Sequence, residues 1–210
     1  EYGAAQEQLD KLNKELPEAL KKSILQEAIQ GKLVPQNPKD EPASVLLAKI
    51  RKEKETLVKQ GKLKKKDLKI TPIDDDEIPF EIPENWCWCK LDEIGETNIG
   101  LTYHPQDISA DGIPVLRSNN INNNKLVLND LVRVKTRILN NQYVKNGDIL
   151  ICARNGSKRL IGKCTILENL KEEMSFGAFM AIFRSNYNQY ILRYLQSQHF
   201  KNYLRNSNST

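Results

Sequence analysis

The stretch NGDILICARNGSKRLIGK, Asn146 to Lys163, decides how the chain is read. Asn146-Gly147-Asp148 is a turn signature, because Gly accepts positive φ and Asp hydrogen-bonds nearby backbone. Ile149 to Ala153 is a short apolar run of β-formers and reads as a core strand. It breaks abruptly into Arg154-Asn155-Gly156-Ser157-Lys158-Arg159. A strand that delivers guanidinium, amide, hydroxyl and ammonium groups into a glycine-softened loop suits nucleic acid. Arg forks match guanine edges or phosphates, amides match adenine, and Ser reaches phosphate oxygens. An ordinary solvated hairpin loop would carry the same residues, so the rest of the chain has to separate the two.

Upstream, the strand Ile113-Pro114-Val115-Leu116 ends in Arg117-Ser118-Asn119-Asn120, which repeats the pattern of an apolar strand followed by Arg and small polar side chains. Further strands are expected at Lys125 to Leu128, Val132 to Val134, Ile161 to Leu167 and Ala178 to Phe183, with a small helix before Tyr143. Tyr190 to Tyr203 carries apolar residues at helical spacing and is expected to close the sheet as one helix, while the tail Asn206 to Thr210 gives no fold signal. Trp86 and Trp88, at the entrance to this lobe, are expected to anchor its core rather than stack on bases.

The first 30 residues are helical by pattern, with Leu9, Leu12, Leu16, Leu20 and Ile24 on one stripe and Pro17 either kinking the helix or starting a second one. A second helix runs from Pro42 to Gly61, and the two are expected to pair as a hairpin or coiled-coil arm. The fold class is therefore α+β: a helical arm over 1–70, then a globular lobe over 71–210 with a twisted β-sheet flanked by helices.

Charge is segregated. Residues 71–98 hold 1 basic and 9 acidic side chains, whereas residues 99–210 hold 15 basic and 7 acidic, so the lobe beyond the acidic linker favours a polyanion. At 39% hydrophobic and 28% charged the profile is globular, and no apolar run exceeds the six residues Ala178 to Phe183, so no membrane partner is expected. The charged start lacks a secretory-signal pattern. Cys87, Cys89, Cys152 and Cys164 do not follow zinc-site spacing and read as reduced thiols, with no metal. Catalytic motifs are missing: no phosphate-binding GxxxxGK[ST] loop, no aromatic after Asn37-Pro38-Lys39-Asp40 to hold a flipped base, and only two histidines, His104 and His199, far apart in sequence. No catalytic residue is assigned, and the chain reads as a binding protein.

Taken together, these residues resemble the specificity subunit of type I restriction-modification enzymes. The arm SILQEAIQGKLVPQNPKDEPASVLLAKIRKEKE, Ser23 to Glu55, is similar to that family's conserved helical region. PFEIPENWCWCKLDEIGE, GIPVLRSNNI and NGDILICARNG, in this order, resemble one target recognition domain. The resemblance implies a non-catalytic reader of one half of a bipartite site in double-stranded DNA. It implies modification (methyltransferase) subunits and an ATP-dependent restriction subunit as partners. Cofactors would be none on this chain, with S-adenosylmethionine, ATP and Mg on the partners. It places Leu9, Leu12, Leu16, Leu20 and Ile24 in helix pairing and docking, and leaves self-association through the arm open. It turns Arg117, Ser118, Asn119, Asn120, Arg154, Asn155, Ser157, Lys158, Arg159, Thr102, Tyr103 and Lys163 toward DNA. The implied setting is the cytoplasm of a bacterium or archaeon. The family carries two arms and two recognition domains, so one of each is read as a C-terminal-type piece truncated at its end. The competing reading is an adaptor whose arm recruits proteins and whose lobe binds no DNA.

Overall fold

The computed structural model describes residues 2–207, so the end of the tail, from Asn208 on, lies outside the described residues. Two long helices come first, α1 (Tyr2–Ile29) and α2 (Ala43–Lys59), then the short α3 (Leu91–Ile94). The strands follow as β1 (Glu96–Ile99), β2 (Ile108–Leu116), β3 (Ile121–Asn122), β4 (Lys125–Leu126), β5 (Val132–Val134), β6 (Ile149–Cys152), β7 (Cys164–Ile166), β8 (Ser175–Phe176) and β9 (Met180–Arg184). Helices α4 (Asn188–Gln196) and α5 (Gln198–Ser207) end the described chain, and the fold is α+β.

An antiparallel sheet in the order β1-β9-β6-β7 holds the centre. A second sheet, β5-β2-β8, pairs β2 antiparallel to β5 and parallel to β8, and β3-β4 is a separate hairpin. The two-residue period of a strand sorts the core. On β6, Leu150 and Cys152 join Leu116, Ile121, Phe176, Met180 and Ile182 on one face. On the other face Ile149 and Ile151 meet Phe183 and the α4 residues Ile191, Leu192 and Leu195.

The expected single closing helix is two helices. Ser197 takes an extended backbone between them, and its hydroxyl accepts the Phe200 N–H at 3.2 Å, which caps the start of α5. The expected strand at Lys125 to Leu128 shortens to β4, because its partner β3 has only two residues and pairing ends at Ile121 with Leu126.

α1 continues through Pro17 as one helix. Where a hairpin of the two was expected, α1 meets α4 and α5 of the lobe, and α2 meets the short turn Lys65–Leu68 and α3. The joints are polar and aromatic. The Arg51 guanidinium donates to the buried Glu93 carboxylate at 2.5 and 3.0 Å. The Trp86 indole N–H donates to Gln36 Oε1 at 3.0 Å, and its ring lies edge-on to Tyr190 at 5.8 Å. Trp88 packs on Phe80 at 5.0 Å. Both tryptophans therefore serve the fold, as their position at the lobe entrance indicated. Leu9, Leu12, Leu16, Leu20 and Ile24 stay 45–65% exposed.

All four cysteines are free. Burial pushes the Cys89 thiol up to about 11 and the Cys164 thiol up to about 12, with nearby Lys201 opposing the shift at Cys164. Thiolate is the reactive form, so iodoacetamide at about pH 8 is expected to label Cys87 first. Cys152 and Cys164 are expected to react only after denaturation, with peptide mass spectrometry as the readout.

Candidate nucleic-acid interface

The ends of β2 and β6 come together. The Asn155 amide donates to Ser118 Oγ at 3.3 Å, and Lys163 Nζ donates to the Ser118 carbonyl at 3.3 Å. Two polar segments some 40 residues apart in sequence thus form one surface, bordered by the basic loop that carries Arg154, Lys158 and Arg159. The loop after β6 is closed at its base, where Cys152 N–H donates to Lys163 O and Gly162 N–H to Cys152 O, both at 2.9 Å. Within it the Asn155 side chain also accepts the Ser157 N–H at 2.9 Å, an Asx turn that leaves Arg154, Ser157, Lys158 and Arg159 exposed.

The β2 exit is more committed. Asn120 is 1% exposed: its amide donates to the Val127 and Asp130 carbonyls at 3.0 and 3.1 Å, and its Oδ1 accepts the Arg117 N–H at 2.9 Å. All of its hydrogen-bonding groups are used by the turn, so Asn120 is removed from the candidate surface. Arg117 and Asn119 both donate to Asp130 Oδ2, at 3.1 and 2.5 Å. Asn119 is exposed and Arg117 half-buried, both against a carboxylate that sequence reasoning did not anticipate, because Asp130 lies beyond the β3-β4 hairpin. Thr102 is exposed, and Tyr103 is half-buried against Leu101, Val115 and Val134. Their loop reaches the same edge through the parallel bridge of Leu101 to Gly177, whose N–H donates to Leu116 O at 3.0 Å.

Beside this surface lies a cavity of about 490 Å³, lined among others by Asn124, Lys158, Arg159, Lys163 and Lys201. Four basic residues and, among the described residues, no acidic one line it, which suits a phosphate, whose oxygens accept from Lys and Arg. Lys201 comes from α5 and was missed in the sequence, where a lone lysine on a closing helix gives no signal. Phe179, placed by its apolar run inside a strand, instead stands 66% exposed on the turn before β9. Among the described residues no group of three His, Cys, Asp or Glu side chains is arranged to hold a metal ion.

No family model matches the chain. Among curated proteins, the EcoAI specificity subunit of Escherichia coli is 42% identical over 137 residues, 64% of this chain and 23% of that protein. The EcoEI specificity subunit, also from Escherichia coli, is 37% identical over 171 residues, 75% of this chain and 27% of that protein. This chain is related to type I restriction enzyme specificity subunits. The EcoKI specificity subunit of Escherichia coli K12 extends the set at 30% identity over 130 residues, 58% of this chain and 28% of that subunit. The chain thus spans about a quarter of the length of the specificity subunits it matches. A crystal structure of an HsdS subunit from Thermoanaerobacter tengcongensis aligns with a TM-score of 0.47 and 18% identity, over 76% of this chain and 36% of that one.

Proposed function

We propose that the chain is the part of a type I specificity subunit that reads one half of a bipartite DNA target. It does no chemistry itself. The observation that carries this reading is the junction at Ser118, where Asn155 and Lys163 from one strand exit meet the other. Strand ends that merge into one basic surface can enter a single groove. In this arrangement Arg154 faces base edges, Asn155 joins the two strand exits, and Lys158, Arg159, Lys163 and Lys201 hold phosphates. Residues 71–210 form the recognition lobe and residues 1–70 the spacer. The modification subunits, with S-adenosylmethionine, and the restriction subunit, with ATP and Mg, supply catalysis from outside the chain. The setting is the cytoplasm of a bacterium or archaeon. No helix among the described residues is long and apolar enough to cross a membrane.

Arg154→Gln is expected to weaken binding to the preferred duplex by about 1–3 kcal/mol and to relax preference at one base pair. Lys158→Gln should weaken all sequences alike and lower the salt slope by about 1. Fluorescence anisotropy titrations at several salt concentrations read both effects. Two variants that bind as the parent does would remove the reading.

The exposed stripe Leu9, Leu12, Leu16, Leu20 and Ile24 favours a protein-docking role for α1 alongside DNA reading. If that were the chain's only role, Leu16→Asp with Leu20→Asp would abolish partner binding, and no duplex would be bound at any salt concentration.

A further inference from the structure

Four of the five phenylalanines, Phe80, Phe176, Phe183 and Phe200, are buried or half-buried. Phe179 is 66% exposed, although Met180, Ile182 and Phe183 just after it are at most 1% exposed. Its backbone is fixed through its carbonyl and the turn around it. The Phe179 carbonyl accepts the N–H groups of Ala153 and Arg154 at 3.0 and 2.9 Å. The Met180 N–H donates to Gly177 O at 2.8 Å, which closes the turn, and the Gly177 N–H ties that turn to the end of β2. An aromatic ring is therefore presented to solvent from a fixed turn that bridges both strand exits.

The polar side chains around it can meet guanine through Arg154 and phosphates through the lysines, while the Asn155 amide is taken up by Ser118 and Ser157. The C5-methyl group of thymine has no polar partner and is read by apolar contact, for which Phe is one of the suited side chains. We propose that Phe179 is the thymine-reading residue of this surface, its ring packed on the 5-methyl group of one pyrimidine in the major groove. This rests on the DNA-reading proposal and adds a specificity determinant to it.

The test begins with the duplex that the full chain prefers from a randomised pool. Each thymine is replaced in turn by deoxyuridine, which removes only the methyl group. Loss of one buried methyl is expected to weaken binding about four-fold at a single position. Phe179→Ala should bind the thymine and uracil duplexes equally, at the level the parent shows for uracil. A uracil penalty of the same size in Phe179→Ala overturns the inference, as does no penalty at any position in the parent. In either case a loss of affinity in Arg154→Gln leaves the DNA reading standing. A chain that prefers no duplex in the pool overturns both.

Discussion

Asp148→Ala is expected to cost about 3–5 kcal/mol of folding stability, because it strands the charge of a paired arginine. Asp148 is 1% exposed and sits where the turn enters β6. Its carboxylate accepts Arg184 Nε at 2.8 Å and Arg184 Nη2 at 2.7 Å, and the Lys145 N–H at 2.8 Å. Those bonds offset the desolvation of the carboxylate and tie β9 to the turn. Without them the Arg184 guanidinium, its side chain 26% exposed, keeps the Tyr143 carbonyl and the nearby charge of Glu96. Thermal unfolding should show a fall in Tm of roughly 6–20 °C for a chain of this size. Asp148→Asn retains an acceptor and should lose less. A fall of under about 1 kcal/mol in Asp148→Ala would mean that the pair adds little to the fold.

Gly100→Ala is the second large effect. A Cβ at this position would lie 2.2 Å from Gly177 O and 2.3 Å from Phe176 O, backbone atoms that cannot rotate away. Relief requires moving β1 or the β8-β9 turn, at about 1–3 kcal/mol or more. The same movement would open the Leu101–Gly177 bridge and shift the turn that carries Phe179. Duplex binding should therefore fall together with urea stability. Gly156→Ala is the matched control: a Cβ there meets nothing within 4 Å, and stability should stay within about 0.5 kcal/mol. Equal behaviour of the two variants would show that close approach at Gly100 does not set the geometry.

The strands that form the core were legible because their residues alternate between two buried layers, as in Ile149 to Cys152. What was not legible depends on partners distant in sequence. The run Ala178 to Phe183 reads as uniform strand, and only the closure of Met180 onto Gly177 turns Phe179 outward. The spacing from Ile191 to Leu204 continues past Ser197, so the break between α4 and α5 rests on a hydroxyl cap that pattern does not weigh. Asn120 and Asn119 are adjacent amides with one composition signal, yet one is a buried scaffold and the other an exposed donor. The helical arm was visible as an apolar stripe, but a stripe does not say what covers it. Helix α2 turned to the lobe through Arg51 and Glu93, a pairing 42 residues apart.

The paired backbone bonds between Cys152 and the Gly162-Lys163 segment isolate the intervening residues from the register of the central sheet. The exposed side chains of Arg154, Ser157, Lys158 and Arg159 can therefore be exchanged without disturbing how β6 meets β7, whereas Leu160 packs on the core. A framework with such a fastened insert can acquire new preferences through side-chain exchange alone, keeping its hydrophobic interior and its contacts with the helices unchanged.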